Sequence, residues 1–479
     1  MSQNNIGIGL KWLLMSKGGE FRRWYGNTLH VINWSSESRN HYKRDKIGRI
    51  IPEYLWYKKG ITWSKIASKL PSFRLLREDS TFDEVNITIN TDSNIYLILG
   101  ALNSKVSSEL LKITNPTFSF QTENILMLPY KAIIIVEPIV CNCISLAKSD
   151  WDSRETSWDF QQSPLIATGC VGLEQAYNGW VEKVTQDFAQ LHANETELNR
   201  IFIDIYGLQD ELTPDVKLKD ITILQDELDA KAFGDATELQ EKLPIKTDVV
   251  MGQLISYAVG CMMGRYRLDK GGLHIAHPNP SDEEVASYSF NDRTFQIDED
   301  GIIPLMDNSV SFTDNALARL KEFFALVWGE EELVNTLNFV EQGLGTDLES
   351  YLVKVFWKEH CKRYQKRPIY WLFASPKGAF QVLTYMHRMN RFTVEKIRSH
   401  YLLKHISNLE NRVAMLQSNE ASLNTAERRL LEKLQKDLAE CRAYDLELKE
   451  VADAQIEFDL DDGVAVNYEL FKKVVAPIK

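Results

Sequence analysis

The strongest constraint on the fold is a long amphipathic stretch at residues 393–451. Apolar residues recur there at helical spacing in two sets, the first comprising Leu402, Ile406, Leu409, Val413 and Leu416 and the second Leu430, Leu434, Leu438 and Tyr444. Residues three and four apart share one face of an α-helix, so each set predicts a helix with one buried stripe. The polar run from Ser418 to Thr425 separates the two sets, which together predict an antiparallel helical hairpin.

The remaining length requires further domains, because 479 residues exceed what one hydrophobic core usually organises. We predict an α+β, mostly helical protein in four parts. These are an α/β domain at 1–130, a helical connector with an acidic surface segment at 131–245, a helical domain at 246–392, and the hairpin with a C-terminal tail at 393–479.

Local patterns assign the elements of the first two parts. Leu29–Trp34 and Val85–Ile89 alternate apolar and polar residues and predict strands. Asn94–Lys112 predicts one helix, because its apolar residues share a face. Beyond it, residues 131–200 predict mostly helix, and the acidic residues of 204–245 predict a solvated surface segment.

Helical spacing and capping residues predict a series of helices in the third part. The predicted elements are a helix at Asp248–Arg267, a loop with a short hairpin at Ser281–Glu299, a helix capped by Thr313 and ended by Gly329, and helices at 330–342, 347–366 and 376–388. Gly329 is expected to end its helix because glycine readily adopts the left-handed backbone conformation common after a last turn.

The sequence indicates a soluble protein of the reducing cytoplasm. No secretory signal peptide is visible after Met1. The longest apolar run, Ala132–Ala147, contains Glu137 and Pro138 and is too short to span a bilayer, so no membrane partner is expected. The six cysteines include no CxxC pair, which argues against a disulfide framework and against a zinc site.

The distribution of charge favours a polyanionic partner more than the total does. The net charge is −12, yet residues 1–80 contain 15 Lys or Arg against 6 Asp or Glu. The other residues hold 40 Lys or Arg against 61 Asp or Glu. Clustered cations repel one another unless an anion lies among them, and the phosphate backbone of DNA is a common anion of that kind.

The basic N-terminal segment provides the first group of candidate DNA-binding residues. Its candidate phosphate contacts are Lys17, Arg22, Arg23, Arg39, Lys43, Arg44, Lys58, Lys59 and Lys65. The tryptophans and tyrosines interleaved with them are more typical of core anchors than of base-stacking platforms. We expect charge reversal at Lys17, Arg22 and Arg23 to weaken DNA binding. The alternative is a basic surface without a ligand.

A second group of cations lies in the third part. Lys354, Lys358, Lys362 and Lys366 recur every four residues and should line one helix face. The candidate DNA contacts in this part are Lys358, Lys362, Arg363, Lys366, Arg367, Arg388 and Arg391. The alternative is a solvated helix face, although like charges at this spacing weaken a helix slightly.

The sequence lacks a recognisable catalytic site. Methylation of a base amine needs a glycine-rich turn for S-adenosylmethionine and an Asn/Asp-Pro-Pro-aromatic loop for the base. Gly7–Gly9 lacks a preceding strand, and Asn115–Phe118 carries Thr117 in place of the second proline, so we interpret both as structural. Four histidines of the C-terminal region form no metal-ligand pattern and are interpreted as surface or helix-end residues, namely His360, His387, His400 and His405. We therefore assign no catalytic, cofactor-binding or metal-binding residue.

Several runs of residues, in order along almost the whole chain, resemble one family. They are GLKW and KGGEFRRWYGN (9–12 and 17–27), GITWSKI (60–66), ILGALNSK (98–105), NPTFSFQ (115–121), ISYAVGCMMGRY (255–266), KRPIYWLF (366–373) and DDGVAVNYELF (461–471). These runs are similar to the PglX family, the adenine-specific DNA methyltransferases of BREX phage-defence systems. The first five resemble the target-recognition domain of that family, and the last three resemble its C-terminal helical region.

The resemblance implies a role in DNA methylation. Residues 1–130 would be the target-recognition domain, and the chain would bind duplex DNA to position it for methylation at adenine N6. The family carries its catalytic half N-terminal to the region matched. The resemblance therefore implies that S-adenosylmethionine serves the intact enzyme and that this chain is inactive alone. The expected partners are double-stranded DNA, the N-terminal methyltransferase region of the same protein and other BREX proteins.

Two other functions remain consistent with the sequence. An intact enzyme with an unrecognised site would transfer methyl groups unaided, which incubation with labelled S-adenosylmethionine and DNA would reveal. A protein–protein interaction scaffold would instead use the hairpin at 393–451 to dock other BREX components, and its binding would depend little on salt.

Overall fold

The computed structural model describes residues 5–48, 50–67, 70–91, 93–115, 117–166, 169–239, 242–306 and 312–478. The chain forms two compact units. The N-terminal unit comprises residues up to 164 together with 177–246, and the C-terminal unit comprises 165–176 and 247–479. Helix makes up about 49% of the chain alongside small sheets, which confirms the α+β, mostly helical fold class. The finer division into four parts stays a prediction.

The N-terminal unit combines two small sheets with helices. Its strands are β1 (Trp12–Ser16), β2 (His30–Asn33), β3 (Gly60–Ser64), β4 (Arg74–Leu76), β5 (Ser80–Phe82) and β6 (Asn86–Ile89). Its helices are α1 (Ser36–Arg44), α2 (Ile95–Asn103), α3 (Lys105–Thr114), α4 (Thr122–Leu126), α5 (Glu137–Asp152) and α6 (Leu173–Tyr206), of which the first residues of α6 belong to the other unit.

Each sheet has three strands around one central strand. In the first sheet, of order β2-β1-β5, β1 pairs antiparallel with β2 and parallel with β5. In the second sheet, of order β4-β3-β6, β3 pairs antiparallel with both neighbours. Leu13 of β1 and Ile61 and Trp63 of β3 are fully buried, so the central strands carry the core. The strands predicted at Leu29–Trp34 and Val85–Ile89 are confirmed as β2 and β6.

Two stretches that the sequence predicts as helix are interrupted. The predicted helix at Asn94–Lys112 breaks at Ser104, whose hydroxyl accepts a hydrogen bond from the Ser107 N–H at 3.3 Å and caps α3. Serine competes for backbone hydrogen bonds, so it favours a helix start over a helix interior. Within 131–200, α5 and α6 are helical as predicted, but residues 153–166 between them form turns and irregular backbone.

The prediction of a solvated acidic segment at 204–245 is wrong for its centre. Ile221, Ile223 and Leu224 are buried, and the buried Glu227 carboxylate forms an ion pair with Arg154 at 2.6 Å. Many of the other acidic residues in the segment are exposed. The acidic composition thus predicted the exposed residues of the segment correctly. It did not reveal the buried apolar residues, because their spacing follows no regular period.

The C-terminal unit is mainly helical. Its helices are α7 (Thr247–Met262), α8 (Asp282–Val285), α9 (Ala316–Trp328), α10 (Leu333–Leu344), α11 (Leu348–Lys354), α12 (Phe356–Arg363), α13 (Thr393–Lys396), α14 (Leu403–Ser418), α15 (Thr425–Asp453) and α16 (Val464–Leu470). Its strands are β7 (Tyr288–Phe290), β8 (Arg293–Phe295), β9 (Ile302–Pro304), β10 (Tyr370–Ala374) and β11 (Gln381–Tyr385). They form the predicted hairpin, β7-β8, and an antiparallel sheet of order β10-β11-β9.

The helix predicted at 376–388 is wrong, because these residues contain β11 and the turn that joins it to β10. Val382, Leu383 and Tyr385 are all buried, so both faces of β11 are covered. A strand covered on both faces shows no alternation of apolar and polar residues, and short apolar runs of this kind do not distinguish a strand from a helix.

Two helix boundaries in this unit differ from the prediction, and a third agrees with it. The helix predicted at Asp248–Arg267 ends at Met262. Asn315, two residues after the predicted cap Thr313, caps α9 by accepting a hydrogen bond from the Ala318 N–H at 3.1 Å. Gly329 ends α9 as predicted, with a φ of 96°.

The predicted helical hairpin is confirmed. α13 continues through a π-helical turn at Ile397–Leu402 into α14, and α15 returns in the opposite direction. Two ion pairs show this direction: Arg398 pairs with Asp445 at 2.7 Å, and Glu410, further along α14, pairs with the earlier Arg442 at 2.7 Å. Among the residues described, no helix combines the length and apolar composition needed to cross a bilayer, the two long helices of the hairpin included.

Candidate nucleic-acid interface

α1 is a surface helix whose last turn is basic. The Ser35 hydroxyl caps it by accepting a hydrogen bond from the Ser38 N–H at 3.2 Å. The last turn contains His41, Lys43 and Arg44, at the end where the helix dipole favours positive charge. None of the nine residues of α1 is buried, so the helix presents its charged side chains to solvent.

An aromatic cluster fixes the start of α1. Trp34 is buried immediately before the helix and meets Trp56 edge-on, with ring centroids 5.0 Å apart. The Trp34 indole N–H donates a hydrogen bond to the Tyr57 hydroxyl at 2.6 Å. The Arg39 guanidinium lies 5.7 Å from the centre of the Trp56 ring, within the range of cation–π attraction. These aromatic residues anchor the helix, in agreement with the core role expected from the sequence.

Three cations beside this anchor have no anionic partner among the described residues. The side chains of Arg44, Lys46 and Lys58 are exposed. Within the described part of the chain, no carboxylate forms an ion pair with any of them. Lys43 instead pairs with Glu53 at 2.6 Å, on a short 3₁₀ helix that precedes β3. The name α1 surface is used below for Arg39, Lys43, Arg44, Lys46 and Lys58.

Three other predicted N-terminal contacts are not counted in the α1 surface. Lys59 is half-buried and donates a hydrogen bond to the Tyr96 hydroxyl of α2 at 2.5 Å. Lys17 follows β1, whereas α1 follows β2, which runs antiparallel to β1, so Lys17 and α1 lie at opposite ends of this pair. Lys65 lies near Lys17, because the Ser64 hydroxyl accepts a hydrogen bond from the loop after Lys17 at 3.4 Å. A five-residue strand spans about 15 Å, which separates these two lysines from α1.

The structure places Arg22 inside the N-terminal unit, which corrects its assignment as a phosphate contact. Only 4% of Arg22 is exposed, and its guanidinium forms an ion pair with Asp150 of α5. The same carboxylate accepts a hydrogen bond from Arg154 at 2.9 Å. Burial raises the pKa of Asp150, but the guanidinium groups of Arg154 and Arg22 outweigh burial and hold the pKa at about 2. Arg22 is therefore neutralised within the fold and out of reach of a phosphate.

Arg23 is paired in a similar way and is corrected for the same reason. Its guanidinium forms an ion pair with Glu195 of α6 at 2.6 Å, and its backbone N–H donates to the Thr222 hydroxyl at 3.1 Å. The Trp24 indole N–H donates to the other oxygen of Glu195 at 2.7 Å. The run at residues 17–27 thus joins the sheets to α5 and α6, and its two arginines form structural ion pairs.

The predicted lysine stripe of the C-terminal unit does not lie on one helix. The helix is interrupted at Val355, so Lys354 belongs to α11, and Lys358 and Lys362 belong to α12. Lys366 follows α12 with a left-handed φ of 62°. Of the predicted contacts here, Arg363 is half-buried and the exposed ones are Lys358, Lys362, Lys366 and Arg367. The stripe is corrected to a basic cluster around α12 and the turn after it.

Arg388 is a structural residue rather than a candidate DNA contact. It is 5% exposed, and its guanidinium donates hydrogen bonds to the carbonyl oxygens of Asp298 and Glu299 at 2.7 and 2.6 Å. Arg391 is exposed and forms an ion pair with Glu457 at 3.2 Å. The structure therefore removes Arg388 from the candidate contacts and leaves Arg391 at the surface.

The two weak catalytic candidates form local turns. Gly7 and Gly9 lie in a turn before β1, with the Gly7 N–H donating to the Trp12 carbonyl at 2.8 Å. The Asn115 amide donates to the Ser119 carbonyl at 2.8 Å in a turn after α3. Pro116 lies outside the described residues.

His360 lies in the last turn of α12, which agrees with the expectation of a surface or helix-end histidine, and it is fully buried there. Its Nε2 accepts hydrogen bonds from the backbone N–H groups of Ile369 and Tyr370, both at 3.1 Å. Burial lowers the pKa of His360 well below its ordinary value, and the nearby charges of Arg363 and Arg265 lower it further. A neutral imidazole that accepts through Nε2 carries its proton on Nδ1, so this ring is a structural acceptor.

Comparisons with known proteins show what the chain is related to. No family model matches it. Over 98% of its length the chain is 34% identical to the adenine-specific methyltransferase BrxX of Escherichia coli O9:H4 (strain HS). It is likewise 34% identical, over 98% of its length, to the adenine-specific methyltransferase PglX of Lacticaseibacillus casei (strain Zhang). The chain is a homologue of part of the PglX/BrxX methyltransferases.

The similarity confirms the resemblance at the level of the PglX/BrxX family. It covers a portion of those proteins, since the chain spans 40% of the length of each. The PglX-like runs coincide with elements of the fold: residues 60–66 contain β3, residues 98–105 cross from α2 into α3, and residues 366–373 lead into β10. These three runs therefore mark elements of the fold, and the α1 surface lies between the runs at 17–27 and 60–66.

Proposed function

We propose that the N-terminal unit binds duplex DNA through the α1 surface, as the DNA-contacting part of an adenine-specific methyltransferase of the PglX/BrxX kind. One observation carries the proposal. Arg44, Lys46 and Lys58 are exposed beside an anchored helix without an anionic partner among the described residues, although the chain has a net charge of −12. Clustered cations in an acidic protein are stabilised by an external polyanion, and phosphate oxygens at regular spacing fit that requirement.

The helix itself fits the major groove, which admits an α-helix with its side chains. Asn40 and His41 are exposed on α1, where Asn40 follows Arg39 and His41 begins the basic last turn. An asparagine amide can pair with the donor and acceptor of an adenine edge, whereas the arginine and lysine side chains hold the phosphates. In the proposed complex, Asn40 and His41 therefore contribute sequence selectivity, and the α1 surface contributes affinity.

Methyl transfer is assigned in this proposal to polypeptide outside the chain. The relatives named adenine-specific methyltransferases contain a further 60% of their length beyond the portion matched here. In the proposal, this additional 60% holds S-adenosylmethionine, while the present chain binds and orients the duplex. A scaffold that docks other BREX proteins through the hairpin stays the alternative prediction, and it requires a partner protein in place of DNA.

The test is a titration of a labelled DNA duplex at several salt concentrations. The wild-type chain is compared with the variant Arg44→Gln/Lys46→Gln/Lys58→Gln, which removes charge without adding repulsion. The slope of log affinity against log salt should become shallower by about 0.9 for each phosphate that the variant no longer neutralises, and affinity at low salt should fall. Circular dichroism of each variant checks that the fold is retained.

The matched control is Lys17→Gln/Lys65→Gln, which removes two cations from the opposite end of the β1–β2 pair in the same unit. Its salt slope and affinity should stay close to those of the wild type. Equal binding by the α1-surface variant and the wild type would contradict the proposal. A decrease confined to Lys358→Gln/Lys362→Gln would also contradict it, because DNA would then bind the basic cluster of the C-terminal unit.

A further inference from the structure

The loop after α1 exposes apolar side chains that DNA phosphates do not account for. Ile47 is 94% exposed, the largest exposed fraction among the large hydrophobic side chains of the described residues. Tyr54, seven residues later, is 70% exposed. Single apolar side chains are common on protein surfaces, so exposure alone carries no conclusion. The position of these two, within a basic surface, is what distinguishes them.

A hydrogen-bonded turn holds Ile47 out from the unit. Asp45 ends α1, and its N–H donates to the His41 carbonyl at 3.0 Å. The Asp45 carboxylate accepts a hydrogen bond from the Ile47 N–H at 2.8 Å. The N–H groups of Ile47 and Gly48 lower the pKa of Asp45, so the carboxylate that closes the turn stays ionised at neutral pH. Ile47 is therefore presented by a defined turn.

Tyr54 is held close to the same end of α1. The Lys43–Glu53 ion pair of 2.6 Å joins the last turn of α1 to the 3₁₀ helix that contains Tyr54. Two residues further on, Trp56 packs against the anchor residue Trp34. The backbone on both sides of Tyr54 is thus tied to the helix, while its own side chain stays exposed.

The charges around these side chains limit what they can contact. Lys46 immediately precedes Ile47, and Arg44 lies three residues before it, on the other side of Asp45. The Asp45 carboxylate accepts from the turn backbone, and neither cation forms an ion pair among the described residues. A ligand for the surface around Ile47 and Tyr54 must carry anions with an apolar surface between them. A DNA duplex has that arrangement, because phosphates line each groove and the faces of stacked bases are apolar.

We infer that Ile47 and Tyr54 form an apolar wedge that enters between base pairs when the α1 surface binds a duplex, so that a base step is unstacked. The inference rests on the proposed DNA binding and adds a second task to the same surface. The cations supply affinity that depends on salt, and the wedge distorts the duplex locally. An adenine amine in a stacked pair is out of reach of a methylating enzyme, so local unstacking favours access to the base.

The experiment uses duplexes that carry 2-aminopurine at successive positions, because its fluorescence rises when its neighbours unstack. The wild-type chain should raise the fluorescence at one or two positions. The variant Ile47→Ser/Tyr54→Ser should abolish this rise and weaken DNA binding by about tenfold, which is the order expected for removing an inserted apolar side chain. The salt slope should stay at the wild-type value, because no charge is removed.

Ile113→Ser is the matched control, since Ile113 is 78% exposed on α3, away from the α1 surface. It should leave both the fluorescence rise and the affinity unchanged. A wild-type complex without any fluorescence rise, or a full rise with Ile47→Ser/Tyr54→Ser, would overturn the wedge while leaving the DNA-binding proposal intact. A complete lack of DNA binding would overturn both. The chain could instead bind vesicles of anionic phospholipid in competition with DNA, and lose this binding in the double variant. That result would assign Ile47 and Tyr54 to a lipid surface and overturn the wedge.

Discussion

The Arg22 guanidinium forms a buried ion pair with the Asp150 carboxylate, 128 residues further along the chain. Arg154 extends the pair into a network, because it binds Asp150 at 2.9 Å and Glu227 at 2.6 Å. Two guanidinium groups thus face two buried carboxylates, with the exposed Asp226 at 3.8 Å from Arg154, which avoids the cost of an unpaired buried charge. The network fastens the loop after β1 to α5 and to the acidic segment.

Asp150→Ala should lower the unfolding free energy of the N-terminal unit by about 3–5 kcal/mol, because it leaves two guanidinium groups buried with too few acceptors. Hydrogen–deuterium exchange of α5 and α6 measures the opening of this unit specifically. Asp210→Ala is the control on the same acidic segment, since Asp210 is exposed and forms no ion pair within the described residues, and it should change stability by no more than about 0.5 kcal/mol. Equal effects of the two substitutions would refute the network as a stabilising feature.

Ile223→Ala should lower the unfolding free energy of the same unit by about 2–5 kcal/mol, the range for removing a buried isoleucine side chain. The reason is that Ile223 is buried within a segment whose composition suggests solvent exposure. Limited proteolysis of the segment and exchange of its amides measure the effect. Ile113→Ala, at an exposed isoleucine, should be nearly neutral. If both variants were neutral, the segment would be the solvated one that its acidity indicates.

The sequence predicted the hairpin well because α14 and α15 each keep one buried stripe over many residues. β11 escaped prediction for the opposite reason. Val382, Leu383 and Tyr385 are buried on both faces, and five residues are too few to establish a period. Periodicity therefore located the half-buried elements of this chain and misassigned a fully buried one.

Charge clustering identified the basic segment but not the roles of its members. Arg22 and Arg44 are both arginines of the same basic segment, but among the described residues only Arg22 has a carboxylate partner. That partner, Asp150, and the Glu195 partner of Arg23 lie 128 and 172 residues away, beyond the reach of any local pattern. The N-terminal cap at Ser35 and the absence of apolar residues from 36 to 41 were the signals that could have singled out α1 as a surface helix.

Asp298→Asn should change the pH dependence of stability in the C-terminal unit. Burial raises the pKa of Asp298 to about 7, and the neighbouring Asp300 carboxylate raises it as well. A folded-state pKa above the unfolded value means that this group stabilises the fold fully below about pH 4 and loses that contribution as pH rises to about 7. Each unit of pKa shift corresponds to about 1.4 kcal/mol. The Asn variant, which keeps an acceptor for the Gly301 N–H at 2.6 Å, should remove this decline.

The measurement for Asp298→Asn is the opening free energy of β9 and β11 from hydrogen exchange between pH 4.5 and 7.5, corrected for the intrinsic exchange rate. Asp282→Asn, at an exposed carboxylate on α8, serves as the control and should follow the wild type. A pH profile of Asp298→Asn that matches the wild type would show that Asp298 ionises normally in the fold.

His360→Phe should lower the unfolding free energy of the C-terminal unit by about 2–5 kcal/mol, because it removes the acceptor of two buried backbone N–H groups. The phenyl ring would keep the stacking on Tyr370, whose ring centroid lies 4.8 Å from that of His360, so the destabilisation reports the hydrogen bonds. Exchange of the β10 amides measures the effect. His400→Phe, at an exposed histidine, should be nearly neutral, and a comparable destabilisation there would contradict the acceptor role.

His360→Gln should change the pH dependence of the unfolding free energy in the direction opposite to Asp298→Asn. Burial lowers the pKa of His360, so its contribution to the unfolding free energy is present above about pH 6.5 and is lost as pH falls. The reason is that the imidazole takes up a proton more readily in the unfolded chain than in the fold. Asp298 acts in the opposite direction over an overlapping range, whereas the lowered pKa values of His274, His387 and His405 act in the same direction as that of His360. Glutamine keeps an acceptor but does not titrate, so the stability of His360→Gln relative to the wild type should fall as pH rises, whereas that of Asp298→Asn relative to the wild type should rise. Parallel profiles for the two variants would contradict both assignments.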